Sequence, residues 1–418
     1  MKEKIVVIGG GFAGIQFIRN TPKNKYDITL IDKVNHHQFQ PLFYQVATSQ
    51  IEPSSISFPF RKIFKGRKDL DIRLAEVHNV EFDQNKVFTN RGVFDYDKLV
   101  IATGCSTSFF GNESIERESY GLKSTFEAIK IRNRIIESFE NMISGSEAEK
   151  EELQNLVIVG GGPTGVELAG AFAEIKRDIL PVDYPNIDFS HFNIILVEGS
   201  PNTLNAMSEL AHKGSKEYLS KLGVDIRLQT IVKNYDGHVV ELSTGETIKT
   251  SNVIWAAGVQ GNIFQGIPED LIIRNQRIKV NRFNQIDSIK NVFVLGDISY
   301  METPLYPNGH PQLANVAINQ AKNLASNLKT ERLKNWNQYE YKDLGSMATI
   351  GRNKAIVDLS FIQFKGYFAW YVWMFLHLML ILSVRNKLII FINWAWNYFT
   401  KNSSLRLILK ENNHDVPR

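Results

Sequence analysis

Short runs of valine, isoleucine and leucine recur along an otherwise mixed chain, at Lys4–Ile8, Ile28–Ile31, Leu156–Val159 and Asn193–Val197. Continuous apolar runs of this length, bounded by turn residues, predict strands buried on both faces of a parallel sheet. The first and third run straight into glycine-rich turns and then helix-like stretches, whereas the second and fourth end in single acids, Asp32 and Glu198. Further runs at Val100–Ala102, Val253–Trp255 and Val292–Leu295 end in small-residue turns. Strand, turn, helix and strand therefore occur in the same order twice, which predicts an α/β fold with two parallel sheets. The pattern changes near residue 366, where aromatic residues and leucine become dense.

Length and composition narrow the chemistry. With 418 residues the chain exceeds one compact core, so two or three domains of about 100–200 residues each are expected. A net charge of +4 gives no reason to expect nucleic acid as a partner. Cys105 is the one cysteine, which excludes an intrachain disulfide, a Cys-x-x-Cys pair and a four-cysteine metal site. Redox chemistry must therefore come from an organic cofactor, and no metal site is expected. The opening Met-Lys-Glu-Lys followed at once by a strand does not resemble a secretory signal, so the catalytic body is expected in the cytoplasm.

The glycines carry the first functional signal. Gly9, Gly11 and Gly14 fit the G-x-G-x-x-G spacing, with Phe12 and Ala13 opening the helix. The first glycine permits the tight turn, the second lets a pyrophosphate approach the backbone, and the third lets helix and strand pack closely. The helix N-terminus then presents N–H groups and a positive dipole end to that pyrophosphate. Asp32, followed by Lys33, lies about 20 residues on, where a carboxylate bonds ribose hydroxyls. The spacing repeats at Gly160, Gly162 and Gly165, and the second acid is Glu198. A carboxylate there accepts the 2′-hydroxyl of NADH and repels the 2′-phosphate of NADPH. No arginine follows in residues 199–203 to hold such a phosphate, so NADH is favoured. The turns Ala102-Thr103-Gly104 and Ala257-Gly258 place one small-residue strand end in each unit.

The run Val292–Leu295 followed by Gly296-Asp297 resembles the second FAD motif of the two-dinucleotide-binding flavoproteins. That resemblance implies that Asp297 bonds the flavin ribityl chain, that the first unit holds FAD, and that the second, inserted in the first, holds NADH. Within that superfamily the chain is most similar to the type II NADH dehydrogenases, single-subunit NADH:quinone oxidoreductases. The similarity is carried by Phe39-Gln40-Pro41-Leu42-Phe43-Tyr44-Gln45-Val46-Ala47, by Gly162-Pro163-Thr164-Gly165-Val166-Glu167-Leu168, and by Gly345-Ser346-Met347-Ala348-Thr349-Ile350-Gly351-Arg352. It implies two Rossmann-like domains and a C-terminal membrane-associating region. The expected divisions are an FAD part over 1–120, a connecting helix and linker over 121–152, an NADH domain over 153–278, a second FAD part over 279–345 and an anchor over 346–418. One departure stands out. Where the family usually carries Ala-Gln-x-Ala-x-Gln, this chain reads Ala314-Asn315-Val316-Ala317-Ile318-Asn319-Gln320. Asparagine keeps the amide but is one methylene shorter, and Gln320 follows directly. Gln45, Asn315, Asn319 and Gln320 are thus the candidate quinone-site residues, against the alternative that the asparagines bond local backbone.

Glu167 is the candidate catalytic group, handling a proton or positioning the nicotinamide; the alternative is a carboxylate in the first helical turn, stabilising the dipole by a few tenths of a kcal/mol. Residues 366–384 carry no formal charge. As one helix they would extend roughly 27–29 Å, borderline for a bilayer core. Tyr367, Trp370, Tyr371 and Trp373 crowd one end, as an interfacial belt does. Beyond Arg385 and Lys387 a second apolar segment, Leu388–Phe399, follows, in which Asn386, Asn393, Asn397 and Thr400 form a polar stripe beside Phe391, Trp394, Trp396 and Phe399. With Lys401, Arg406 and Lys410 the flanking charges are all basic, which suits an anionic membrane surface. Three arrangements compete: a buried core or dimer helix pair, a transmembrane helix at 366–384, and a monotopic anchor on the cytoplasmic face of the inner membrane, which the family resemblance favours. Residues 144–152 read as a polar, acidic linker. The rival functions are a soluble reductase serving ferredoxin or rubredoxin, which needs no aromatic basic tail, and a redox-sensing membrane flavoprotein. Disulfide reductase and sulfide:quinone chemistry both rely on cysteines that this chain lacks.

Overall fold

The computed structural model describes residues 2–330, 333–403 and 405–409. In chain order the elements that build the sites are β1 (Glu3–Ile8), α1 (Phe12–Asn20), β2 (Tyr26–Asp32), α2 (Phe43–Ala47), β3 (Leu70–Leu74), β4 (Lys98–Ile101), β5 (Tyr120–Gly121), α3 (Thr125–Ser144), α4 (Glu147–Leu153) and β6 (Asn155–Val159). There follow α5 (Pro163–Asp178), β7 (Asn193–Val197), β8 (Asp225–Arg227), β9 (Val253–Trp255), β10 (Gln285–Ile286), β11 (Ile289–Val294) and α6 (Ala314–Asn327). The C-terminal region comprises β12 (Ser346–Thr349), β13 (Ala355–Leu359), β14 (Ile362–Gly366), α7 (Tyr367–Leu380) and α8 (Val384–Thr400).

The chain forms two compact units: one from Met1–Gln38, Ser57–Ser106 and Val259–Lys342, the other from Phe39–Ile56, Thr107–Gly258 and Asp343–Arg418. The expected breaks stood at 120, 152, 278 and 345; by contact, residues 39–56 and 107–152 group with the second unit and 259–278 with the first. The first unit contains a sheet ordered β10-β11-β4-β1-β2-β3, parallel except for the β10–β11 pair. In the second unit the order is β5-β9-β6-β7-β8, all parallel. Both sheets bury their valine and isoleucine runs, as continuous apolar strands require: Val6, Ile8, Ile101 and Val294 share one core, and Val157, Val159, Val197 and Val253 share the other.

The expected linker at 144–152 is mostly helical. Ser146 caps α4 and forms a capping box with Glu149, whose Oε2 accepts from the Ser146 N–H at 2.8 Å. Its signature, Ser-x-x-Glu, is present in the sequence.

The tail also departs from expectation. The charge-free run is not one helix: α7 ends at Leu380, and Ile381 turns to extended backbone (φ −63°, ψ 131°) and buries its side chain. No helix among the described residues is long and apolar enough to cross a membrane. Trp373 is buried and so does not belong to an interfacial belt, and Trp394 of α8 is buried too. The polar stripe of α8 faces protein. Asn386 donates to the carbonyls of Ser54 (3.1 Å) and Ser55 (2.9 Å), and Asn397 donates to that of Gln50 (3.0 Å). Leu388, Phe391, Ile392, Trp396 and Phe399 lie exposed on the other side. The basic flank is partly spoken for: Arg406 pairs with Asp183 at 2.6 Å, and Lys387 donates to the Met379 carbonyl at 3.1 Å. Lys410 lies outside the described residues.

Replacing Asn386 by leucine strands two carbonyls in a buried contact. We expect a loss of about 1–3 kcal/mol, read as a lower melting temperature and faster proteolytic release of α8; an unaltered melt and cleavage pattern would show that this contact does not hold the helix.

Candidate active site

The first cradle forms where β1 meets α1. A Cβ added at Gly14 would lie 1.9 Å from the Gly9 carbonyl oxygen, so helix and strand approach only because glycine is there. At Gly11 the same atom would meet nothing within 4 Å, which leaves the N-terminus of α1 open to a phosphate. Gly11 caps α1 without a side-chain hydrogen bond, so no cap side chain stands between the helix N-terminus and a ligand. Asp32 fixes the loop by accepting from the N–H of Gly10 at 2.6 Å and of Val34 at 2.8 Å. Burial pushes its carboxyl up, while these two N–H groups and the nearby Lys33 and His36 pull it back, leaving a net rise. Thr103 and Asn262 lock the Ala102-Thr103-Gly104 turn: Thr103 Oγ1 donates to the Asn262 carbonyl at 2.8 Å, and Asn262 Nδ2 returns a bond to the Thr103 carbonyl at 2.9 Å.

The Gly296-Asp297 turn lies in the same unit. Gln320, expected to compensate for the two asparagines at a quinone site, is buried here with its Oε1 accepting from the Gly296 N–H at 2.7 Å and Ser299 Oγ at 3.2 Å. The reason is local, since the turn exposes an N–H that the strand cannot satisfy. Asp297 accepts from Cys105 Sγ at 3.1 Å. Asn315 and Asn319 are half-buried in the first half of α6. The open cradle, the acid and the Asp297 turn fit a flavin dinucleotide.

The second unit repeats the device. A Cβ at Gly165 would lie 1.8 Å from the Gly160 carbonyl oxygen, while Gly162 again faces open space. Glu198 accepts from the N–H of Gly161 at 2.5 Å and of Ser200 at 2.7 Å. Beside it opens a cavity of about 660 Å³, lined by Gly160, Gly162, Glu198, Ala257 and Gly258, within the usual range for small-molecule sites. Phe110 and Lys233 also line it, residues that no motif had singled out, beside Trp255 from the end of β9. Replacing Glu198 by alanine frees the glycine loop and removes the ribose acceptor; we expect the KM for NADH to rise about tenfold, the equivalent of one charge-assisted hydrogen bond, and the preference over NADPH to narrow. Steady-state kinetics with both nucleotides checks this.

A third feature surrounds Glu167. It is the fifth residue of α5, past the first turn, so dipole stabilisation does not explain it. It is 8 % exposed, and its Oε1 accepts from the Thr349 N–H of β12 at 3.3 Å. Gln45 Nε2 donates to the Tyr44 hydroxyl at 3.0 Å, and Trp394 Nε1 donates to Gln45 Oε1 at 2.8 Å. Tyr44, Gln45, Glu167, Thr349 and Trp394 line one cavity of about 100 Å³. Burial pushes Glu167 well above the ordinary carboxylate range, and burial with the neighbouring Glu167 does the same to the Tyr44 phenol. The cavity therefore favours a neutral acid that can give up a proton.

The pyridine nucleotide-disulphide oxidoreductase family model matches residues 3–321, and the NDH2 C-terminal domain model matches 344–401. The type II NADH:quinone oxidoreductase Ndh of Mycobacterium tuberculosis is 31% identical over 417 residues, covering 96% of this chain and 89% of that protein. A type II NADH:quinone oxidoreductase of Staphylococcus aureus is 27% identical, covering 85% of this chain and 89% of that one. Among solved structures, NDH2 from Plasmodium falciparum in complex with NADH shares the fold with a TM-score of 0.89 at 21% identity, covering 98% of this chain and 100% of that chain. The sulfide:quinone oxidoreductase of Aquifex aeolicus shares it less closely, with a TM-score of 0.72 at 20% identity and 96% of each chain covered. The flavoprotein fold is thus common to several chemistries, and it is the C-terminal domain together with the near full-length sequence match that places this chain in the type II NADH:quinone oxidoreductase family.

Proposed function

We propose that the protein is an FAD-dependent NADH:quinone oxidoreductase that works at a membrane surface without pumping protons. The overall reaction is NADH + H⁺ + quinone → NAD⁺ + quinol. The observation that carries this reading is the closure of the Glu167 cavity by the NDH2 C-terminal region, through Thr349 and Trp394. Bound FAD supplies the route from hydride to electron pair. The chain supplies the rest. The N-termini of α1 and α5 hold the pyrophosphates, Asp32 and Glu198 take ribose hydroxyls, and Asp297 takes the ribityl chain. The N-terminus of α6 supports negative charge on the reduced ring. Gln45, which shares its cavity with Glu167, is assigned to quinone contact, and Glu167 donates a proton to the quinone oxygen.

The anchor is monotopic, at the cytoplasmic face of the inner membrane. Phe368, Phe375 and Leu380 of α7 lie exposed, as do Leu388, Phe391 and Ile392 of α8; such a surface binds the interface by burying apolar area in lipid. Unpaired aromatic helices also serve homodimers, but the exposed Arg385 and Lys401 favour an anionic membrane as the partner here.

Two outcomes are expected. Purified, flavin-loaded protein reduces a short-chain quinone and a soluble one-electron acceptor with NADH; Glu167→Gln lowers quinone turnover about 10²-fold and spares the soluble acceptor. Because burial raises Glu167, the proton is available at low pH and is lost as pH rises through the folded pKa, so wild-type quinone turnover falls on the alkaline side. Equal quinone kinetics in variant and wild type would remove Glu167 from the mechanism. Separately, the double change Phe391→Asp and Ile392→Asp weakens binding to anionic vesicles about 10²-fold or more, measured by co-sedimentation, while alkaline carbonate releases the wild-type protein from membranes; resistance to carbonate would mean a deeper insertion.

A further inference from the structure

Quinone reduction draws one proton from water in each turnover, beyond the hydrogen that NADH carries. Glu167 is 8 % exposed and must be resupplied. The cavity that holds it does not end there. The same space is lined farther along α5 by Ala171, Glu174 and Asp178, and then by Arg352 and Lys401. Glu167, Glu174 and Asp178 stand at i, i+7 and i+11. At 100° per residue these positions fall within about 40° of one another on a single helix face. At 1.5 Å per residue they lie roughly 10 Å and then 6 Å apart along the axis. Ala171 occupies the same face between the two glutamates and leaves the space open.

About 100 Å³ is room for a short file of waters between the acids. A second observation favours hydrogen-bonding occupants: Trp373 lines the cavity at 1 % exposure, and among the described residues its Nε1 has no partner. The side chains of Glu174 and Asp178 are 16% and 13% exposed, so both reach partway to solvent.

We propose that Glu174 is a proton-relay residue, which passes protons entering at Asp178 through cavity waters to Glu167 along one face of α5. The inference rests on the NADH:quinone reading of this chain. In each turnover Glu167 loses its proton to the quinone oxygen, Glu174 reprotonates it through water, and a proton from bulk solvent restores Glu174. Glu174 accepts from the Arg352 N–H at 2.6 Å, which fixes one oxygen and leaves the other for the relay. The charges facing Glu174 are Arg352 and Lys354 from the turn after β12 and Arg177 on its own helix; burial outweighs them and lifts its carboxyl above the ordinary value. Arg177, Arg352 and Lys401 hold Asp178 below its ordinary value, so the outer acid is the more readily ionised. Tyr44 lies at the inner end, near enough for the charge of Glu174 to act on its phenol.

The test compares Glu174→Gln, Glu174→Asp and Asp178→Asn in the flavin-loaded enzyme. For Glu174→Gln we expect the ratio of quinone turnover to one-electron-acceptor turnover to fall about tenfold or more. The solvent deuterium isotope effect on quinone turnover should rise, and small weak acids such as formic acid should restore part of the rate. Glu174→Asp recovers part of the loss. A protonated-carboxyl infrared band disappears in Glu174→Gln, a readout independent of turnover. If Glu174→Gln does not fold, Asp178→Asn reports the same path by a smaller fall in the ratio and a raised isotope effect. An unchanged ratio and isotope effect in the folded variants overturns the relay alone; wild-type protein that reduces the one-electron acceptor but no quinone overturns the functional reading beneath it.

Discussion

In both halves of the chain an acid at the end of a buried strand holds the peptide N–H of the neighbouring glycine loop, Asp32 taking Gly10 and Glu198 taking Gly161. The loop has no side chains with which to fix itself. Glycine's freedom allows the helix to descend onto the strand, but that freedom must be removed again before a ligand can find a shaped site. The carboxylate removes it from one side and the close contact beneath Gly14 or Gly165 from the other. These bonds use backbone donors outside the helix, and neither α1 nor α5 carries a side-chain cap at its N-terminus. Sheet order, helix placement and both nucleotide cradles follow from this clamp.

The parts of the clamp were legible in the sequence because each is local, although the acids read there as ribose partners and not as anchors of the loop. A continuous apolar run, three glycines at fixed spacing and an acid about 20 residues on all lie within one βαβ unit. The cavity around Glu167 was not, since Tyr44, Thr349 and Trp394 come from three separate stretches and no periodicity connects them. The loop containing Tyr44 was recognisable as a resemblance, but its packing with the second unit was not. Gln320 illustrates the same limit. Its spacing suggested a substitute for two shortened amides, whereas an N–H in a turn made by distant Gly296 determines where it points.

For α8, periodicity found the polar stripe but not what it would face. Composition favours the usual solution, polar outward. Here the irregular backbone at residues 49–55 presents carbonyls that need donors, and asparagine side chains satisfy them. Once those amides are committed inward beside Ile390 and Trp394, the opposite face of α8 points outward whatever its polarity. Exposed phenylalanine and isoleucine are unfavourable in water and neutral against lipid, so the helix is an amphipathic element turned inside out relative to a soluble one.

The docking of α8 also imposes an order on assembly. Asn386 meets Ser54 across a sequence separation of 332 residues. The entropy of closing such a loop grows only logarithmically with its length, so distance alone does not forbid the contact. Synthesis, however, runs in one direction. The carbonyls that receive α8 emerge early and remain in water until nearly the whole chain has been made. The exposed apolar face of α8 thus comes into being as a late event, after the sequences of both nucleotide-binding sheets have been synthesised. On the monotopic reading proposed above, a nascent chain is in this way kept from meeting lipid before the parts that give the encounter a purpose exist.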